Sequence, residues 1–93
     1  MPIECHFFGP LREAVGTKTV ERTIDSGATV QEVVEDLVAD YPDLTDGLLD
    51  DDGAIHDAVN VTLNKENINH LNGPETTLED GDVLRFASAV IGG

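Results

Sequence analysis

Positive charge is scarce in this chain, whose 93 residues include five Lys and Arg against 19 Asp and Glu, for a formal net charge of −14. Such a charge repels phosphate backbones and anionic lipid headgroups, so it argues against nucleic acid and membrane surfaces as partners. The acidic residues are spread along the whole chain. This favours adaptation to a salt-rich cytoplasm over the alternative, a single patch that docks a basic partner.

Cysteine is also scarce, because Cys5 is the only one. A single cysteine excludes an internal disulfide and a multi-cysteine zinc site. Its position within a predicted strand, on the inward-facing side, indicates a small core residue and not a nucleophile. The chain also lacks a signal-peptide pattern, and no apolar run approaches the roughly 18 residues of a membrane span. We therefore expect a cytoplasmic protein.

Aromatic residues are few, with no Trp, one Tyr and three Phe, although 40% of the chain is hydrophobic. One domain with a mainly aliphatic core is the expectation for this length. Alternating or β-branched runs predict strands at 3–9, 17–24, 59–64 and 83–87. The short connection between the first two, with a helical turn over 10–16, predicts that they form a hairpin. In the last strand, Leu84 and Phe86 should face inward and Arg85 outward.

The strongest local pattern is a helix over 28–42. Thr29 and Glu32 have the spacing of a capping box, and Pro42 should end the helix. Its apolar residues recur with helical spacing and form one stripe: Val30, Val33, Val34, Leu37 and Val38. Because that stripe must be covered, the helix is expected to lie across a sheet.

The remaining segments are predicted to be connections. Residues 43–57 form an acidic, irregular stretch, 65–78 a loop with a short edge strand near Ile68, and 79–82 a turn. The expected element order is therefore β-β-α-β-(β)-β. This order predicts an α+β domain with a mixed sheet of four or five strands and one main helix across a face.

No catalytic or metal-binding pattern emerges from the sequence. The three histidines, His6, His56 and His70, are not spaced as metal ligands with one another or with Cys5. The acidic run 50–53 fails as a calcium loop, because an EF-hand alignment puts Leu48 and Val59 where Asp and Glu are needed. Neither a glycine-rich phosphate loop nor a nucleophile elbow is present.

The chain ends in Gly92 and Gly93, the last two residues of a tail, 88–93, that follows the last predicted strand directly. Two residues without Cβ atoms let a terminal carboxylate enter a channel too narrow for other side chains. A carboxylate becomes an acyl donor only after a leaving group is attached, and ATP can supply one as an acyl-adenylate. Because this chain has no phosphate site, it would be the substrate of that reaction and not the catalyst.

These residues carry a resemblance to a known family. The helix stripe, "VNVTLN" at 59–64, "LEDGDVLRF" at 78–86 and the terminal "VIGG" resemble the β-grasp family of ubiquitin-like and sulfur-carrier proteins over essentially the whole chain. The resemblance is to the small archaeal modifier proteins, with a haloarchaeal composition, and to the small subunit of molybdopterin synthase. It implies a β-grasp domain over 1–87 and a flexible tail over 88–93.

The resemblance also implies function through the C-terminus. Gly93 would be adenylated by an E1-like enzyme that uses ATP, with Gly92 and Val90 required for activation. It would then be joined to target lysines, and released by a deconjugating metalloprotease, or be converted to a thiocarboxylate for sulfur transfer. No cofactor would be bound. A dedicated sulfur carrier acting with the large subunit of molybdopterin synthase is the alternative, and a non-covalent interaction domain with incidental glycines is the third possibility.

Two features bear on these alternatives. Ser88 and Ala89 stand where the molybdopterin-synthase subunit has prolines, which argues against an exclusive role in that enzyme. The chain has two lysines, Lys18 and Lys65, which we expect to be exposed and which are candidate acceptors if the modifier is itself modified.

The net charge generates a prediction about salt. If −14 reflects a salty cytoplasm, mutual repulsion should weaken the fold in dilute buffer, and screening should restore it. We expect the midpoint of thermal unfolding to rise between dilute and molar sodium chloride, as followed by circular dichroism. Equal midpoints at the two salt concentrations would contradict this interpretation.

Overall fold

The computed structural model describes residues 1–88 as one sheet with a helix packed against it. Its strands are β1 (Pro2–Phe7), β2 (Thr19–Thr23), β3 (Val59–Leu63), β4 (Glu66–Asn67) and β5 (Val83–Ser88). Its α-helices are α1 (Pro10–Val15), α2 (Val30–Asp40) and α3 (Thr45–Leu48). Three 3₁₀ turns, Pro42–Leu44, Ile68–His70 and Gly73–Glu75, complete the described chain.

The sheet has five strands in the order β2-β1-β5-β3-β4. The central pair, β1 and β5, is parallel, whereas β1–β2, β3–β5 and β3–β4 are antiparallel. The predicted hairpin of the first two strands is therefore confirmed. The mixed five-stranded sheet with one main helix confirms the predicted α+β class and the β-grasp architecture.

Helix α2 begins and ends as the sequence predicts. Thr29 Oγ1 accepts a hydrogen bond from the Glu32 backbone N–H at 3.2 Å, and Glu32 Oε1 accepts one from the Thr29 N–H at 3.0 Å, which completes the capping box. The helix ends at Asp40, two residues before Pro42. Four residues of the apolar stripe are buried and Val38 is half-buried at its margin.

The core lies between α2 and the inner face of the sheet. Strand β1 contributes alternate residues, and the rings of Phe7 and Phe86 stack with centroids 5.4 Å apart across the parallel pair. Leu84 and Phe86 face inward as predicted, and both are fully buried. Side chains on the inner face of β1 are likewise almost completely buried: Ile3, Cys5 and Phe7.

The segment 43–57 is more ordered than an irregular connection. It contains part of a 3₁₀ turn and helix α3, and it contributes Leu44 and Leu48 to the core with no exposed surface. Gly47 lets this segment approach α1 closely, because a Cβ at that position would lie 2.8 Å from Leu11 Cδ2. The prediction failed because the segment is ordered by leucines that pack against distant parts of the chain, a contact that local composition does not reveal.

Arg22 links the edge strand β2 to the helix. Its Nε donates to Asp36 Oδ2 at 3.1 Å, and its Nη1 lies 2.6 Å from Asp40 Oδ2. The guanidinium thus neutralises two carboxylates one helical turn apart, which would otherwise repel each other. A charged side chain that points inward from an edge strand also discourages a second sheet from pairing with that edge.

A two-residue turn, Asn64-Lys65, connects β3 to β4. Both residues have positive φ, 50° and 79°, and they are the non-glycine residues of 1–88 that do so. The short edge strand expected near Ile68 is β4, immediately before it, while Ile68 itself begins a 3₁₀ turn and is buried. Lysine is unfavourable at a φ of this sign, where glycine is the usual residue of such hairpins.

Replacing Lys65 with glycine should therefore stabilise the fold. We expect Lys65→Gly to raise the free energy of unfolding by about 1 kcal/mol, since relief of backbone strain exceeds the added entropy of the unfolded chain. Urea denaturation in molar salt measures this. Lys18→Gly is the matched control, because Lys18 has no positive φ and the change should leave stability equal or lower. A loss of stability in Lys65→Gly would show that the turn is unstrained.

Candidate functional site

The predicted reactive residues Val90, Gly92 and Gly93 lie outside the described residues. The structure does describe the point from which the sheet delivers them, which is the end of β5 at Ser88. Ser88 pairs with Val59, the first residue of β3, in the antiparallel ladder. The last described residue is thus held by its pairing with β3. We call the side of the sheet at which β5 ends, across the ends of the strands, the exit edge.

The first strand ends at the same edge. Because β1 runs parallel to β5, with Phe7 opposite Phe86, the carboxyl ends of both strands lie side by side. The Phe8 backbone N–H donates to the Phe86 carbonyl O at 3.1 Å, so β1 follows β5 one residue beyond its own end. Gly9, with φ 59°, then turns the chain into α1. Residues of α1 are thereby brought next to the exit edge.

Phe8 and Arg12 form an exposed pair at this edge, which we call the Phe8–Arg12 platform. The Phe8 residue is 37% exposed, unlike the buried Phe7 before it. The Arg12 guanidinium carbon lies 6.0 Å from the centroid of the Phe8 ring, within the range of a cation–π contact, and Arg12 Nε donates to the Phe7 carbonyl O at 3.3 Å. An aromatic ring and a held guanidinium are the residue types that dominate protein interfaces.

Two further cations lie near the platform. The Lys18 carbonyl accepts from the Phe7 N–H at 2.9 Å, which places Lys18 at the exit edge. Arg85 lies on the open face of the sheet, opposite His6 of β1 and Thr62 of β3. None of the ion pairs found within residues 1–88 includes Arg12, Lys18 or Arg85. These cations are therefore free to pair with carboxylates of a partner.

The two candidate acceptor lysines are both exposed, as expected, but the fold separates them. Lys18 lies at the exit edge. Lys65 lies in the β3–β4 turn, where the Asn64 N–H donates to the Val83 carbonyl O at 2.9 Å, so it sits at the edge where β5 begins. The sequence alone could not distinguish the two positions.

The histidines and the acidic run are not brought together into a metal site in the described part of the chain. His6 Nε2 lies 3.0 Å from Glu4 Oε1 on the open face, while His56 and His70 are exposed elsewhere. Asp50 Oδ1 accepts the backbone N–H groups of Asp52 and Ala54 at 2.9 and 3.0 Å. The Asp50 carboxylate therefore holds the backbone of residues 50–54 in a turn through these two hydrogen bonds.

Cys5 is completely buried on the inner face of β1, as its position in the strand predicts. Burial raises the pKa of its thiol from 9.0 to about 12; Arg22 partly offsets this effect and Asp36 adds to it. The thiolate needed for nucleophilic or sulfur-transfer chemistry is therefore not formed near neutral pH. Cys5 is therefore a core residue, as the sequence predicts.

The Phe8–Arg12 platform was not singled out by the sequence analysis. The available signal was the parity of β1, because Phe7 faces inward and its neighbour Phe8 must then face outward. Its proximity to the chain end was hidden, since it depends on the parallel pairing of strands that are far apart in sequence.

Comparison with known proteins identifies relatives along the whole chain. The model of the ThiS family matches residues 5–93. Small archaeal modifier protein 3 of Haloferax volcanii is 40% identical over 93 residues, which is all of both chains. The sulfur carrier protein CysO of Mycobacterium tuberculosis is 36% identical over 70 residues, covering 73% of this chain and 75% of that protein.

A solved structure supports the same relationship. The crystal structure of SAMP1 from Haloferax volcanii superposes with a TM-score of 0.89 at 31% identity and covers 100% of both chains. No helix within residues 1–88 is long and apolar enough to cross a membrane.

Burial of Cys5 predicts a protected thiol. In the native protein at pH 8 we expect iodoacetamide to label Cys5 at least about a hundredfold more slowly than after unfolding, because the raised pKa leaves little thiolate. Intact mass at timed intervals measures the labelling. Between pH 9 and 12 the unfolded chain loses the thiol proton while the folded chain keeps it, so stability should also fall as the pH rises through this window. Equal labelling rates in the two states would show that the β1 face opens readily.

Proposed function

The chain belongs to the ThiS family, and we propose that it is a ubiquitin-like modifier whose Gly93 carboxylate is adenylated by an E1-like enzyme and joined to lysines of target proteins. At the coarser level its relatives are small modifiers or sulfur carriers and not catalysts. The full-length similarity to a small archaeal modifier protein, together with the terminal Gly92-Gly93, carries the finer proposal.

The proposed chemistry takes two steps. A Gly93 carboxylate oxygen attacks the α-phosphorus of ATP and pyrophosphate leaves, which gives an acyl-adenylate. The amine of a target lysine then attacks the acyl carbon, forms the isopeptide bond, and releases AMP and a proton. The enzyme supplies the phosphate site and the base. In the described part of this chain the single thiol is buried, which supports the role of substrate.

The exit edge supports recognition by such an enzyme. Five residues follow Ser88, and a chain of that length spans at most about 17 Å. An enzyme that takes Gly93 into its ATP site must therefore also contact the sheet near the exit edge. The Phe8–Arg12 platform lies on that edge, with Arg85 and Lys18 nearby. A complementary partner surface would present an apolar pocket for the ring and carboxylates for the cations.

A dedicated sulfur carrier is the second candidate, and the similarity to CysO favours it. Here sulfide, supplied through the activating enzyme, attacks the acyl carbon of the Gly93 adenylate, the C–O bond to AMP breaks, and the terminus becomes a thiocarboxylate. The large subunit of molybdopterin synthase is one partner with which such a carrier would act. Both candidates share activation at Gly93, with Gly92 and Val90 entering the enzyme, and they differ only in the nucleophile that follows. A deconjugating metalloprotease is required by the modifier alone.

Truncation of the terminus tests the proposal. The N-terminus begins β1 at the edge opposite Ser88, so a tag there is remote from the exit edge. We expect a ladder of heavier bands on a reducing, denaturing blot from the host, and its complete loss when Gly92 and Gly93 are removed. Bands that survive truncation would refute attachment through Gly93. Without bands in either sample, an intact mass increased by the difference between sulfur and oxygen would identify the sulfur carrier.

The role of the platform has a matched control within the chain. With the purified activating enzyme, Phe8→Ala should lower the rate of ATP–pyrophosphate exchange about tenfold, because it removes an aromatic contact worth roughly 1–2 kcal/mol. Leu71→Ala removes a side chain of similar exposure, 40% against 37%, from the connection between the 3₁₀ turns Ile68–His70 and Gly73–Glu75. That variant should retain the full rate. Equal rates for both variants would exclude the platform from the contact with the enzyme.

A further inference from the structure

One histidine occupies a position that aspartate or asparagine usually takes. The Asp50 and Asn67 side chains each accept a hydrogen bond from the backbone N–H two residues further on, at 2.9 and 2.8 Å, as such residues commonly do in turns. His56 does the same through its ring, because Nδ1 accepts from the Ala58 N–H at 3.0 Å. A backbone N–H can only donate, so Nδ1 carries no proton in this contact.

We propose that His56 is a pH-sensitive switch at the start of β3. The neutral ring holds the Ala58 N–H, whereas a protonated ring has two N–H groups and no acceptor, so it releases that amide. Loss of the contact loosens the residues that lead into β3, the strand that pairs with Ser88 at the exit edge. Acid therefore weakens the hold on the end of β5. This inference goes beyond the proposed function and does not depend on the chemistry at Gly93.

The backbone of His56 joins two parts of the fold. Its N–H donates to the carbonyl O of Leu48, a fully buried residue of α3, at 2.8 Å. Its own carbonyl O accepts from the N–H of Val59, the first residue of β3, at 3.0 Å. Because these bonds fix the main chain of residue 56, the ring can change its contact while the residue stays in place. Val59 pairs with Ser88, so a change just before β3 reaches the last described pair of the β3–β5 ladder.

The groups that face the ring attract it once it is charged. The cavity on one side of His56 is lined by three aspartates from α3 and the loop after it: Asp46, Asp50 and Asp51. Asp57 is the next residue, and a smaller cavity on the other side adds the amides of Asn67 and Asn69. Neither cavity is lined by a lysine or arginine among residues 1–88. A charged ring is therefore drawn to carboxylates on the α3 side, which gives the switch a second position.

The ring is open to solvent, so a proton reaches it without passing through the core. His56 is exposed, and so is its hydrogen bond to Ala58. A hydrogen bond of this kind changes the protection of its amide by roughly a factor of two to ten. The switch therefore shifts a local equilibrium by a modest factor and leaves the packed core intact.

Amide hydrogen exchange, followed by NMR on the full chain in molar salt, tests the switch. We expect the protection factor of Ala58, corrected for the intrinsic effect of pH, to fall about fivefold between about pH 8 and pH 5. The ring nitrogen shifts of His56 should report the gain of one proton over the same range. The Ser88 amide resonance should move with the same midpoint.

An internal control lies in the same spectrum. The Asn69 N–H donates to Asn67 Oδ1 across the same two-residue spacing, but an amide oxygen does not titrate. Its protection factor should stay constant while that of Ala58 falls.

Two variants separate the switch from a general effect of acid. His56→Asn retains an acceptor for the N–H two residues on but cannot become charged, so Ala58 should stay protected at both pH values. His56→Ala removes the acceptor, so protection should be low at both. Because the ring is exposed, neither change disturbs the core.

The contrary outcomes are distinct. Equal acid sensitivity of Ala58 in His56→Asn and in the parent would overturn the switch, as would constant protection in the parent while the His56 ring gains its proton. A change at Ala58 without one at Ser88 would overturn the link to the exit edge. None of these results bears on attachment through Gly93, which truncation of the terminus tests separately.

Discussion

The parallel pairing of β1 with β5 is the contact on which the rest of the structure depends. It brings the first and last strands of the described chain together at the centre of the sheet, and Phe7 and Phe86 stack across it. Parallel neighbours cannot be joined by a tight turn, so everything between them must pass around the pair. Strand β2 closes one side, β3 and β4 close the other, and α2 covers the inner face. The same pairing places the C-terminal end of β5 beside the end of β1, where Phe8 and helix α1 follow.

Charge is handled differently on the two faces of this arrangement. The inner face is apolar, and Arg22, which approaches it from the edge strand, is neutralised by Asp36 and Asp40. On the open face and at the exit edge, Arg12, Lys18 and Arg85 have no ion pair within residues 1–88. The chain has 19 Asp and Glu residues, so carboxylates are numerous enough to pair with all three cations. Cations that remain without an ion pair in so acidic a chain are available to the carboxylates of a partner.

The sequence predicted those elements whose cause is local. Thr29 and Glu32 of the capping box are three residues apart, and the apolar residues of α2 recur every three or four positions. The alternation of inward and outward residues in β3 and β5 is equally visible in the sequence. The prediction of an irregular connection was wrong for 43–57, because Leu44 and Leu48 pack against residues that are distant in the sequence. The Phe8–Arg12 platform was also missed, because its relation to the chain end arises from pairing across nearly eighty positions. The parity of Cys5, by contrast, was enough to predict its burial.

The exit edge and the opposite edge of the sheet therefore differ in how the backbone is held. At the exit edge, the strand ends are held by ladder hydrogen bonds, and the exposed ring and guanidinium rest on a rigid frame. At the opposite edge, three hydrogen bonds from Asn64 hold a turn in which Lys65 adopts an unfavourable φ. Strain of this kind persists only where the surroundings over-determine the backbone. The Asn64 side chain supplies that restraint, because its hydrogen bonds to Asp82 and to the Val83 N–H leave the turn little freedom to relax. The strain at Lys65 is therefore maintained by the strand that carries the chain toward the exit edge.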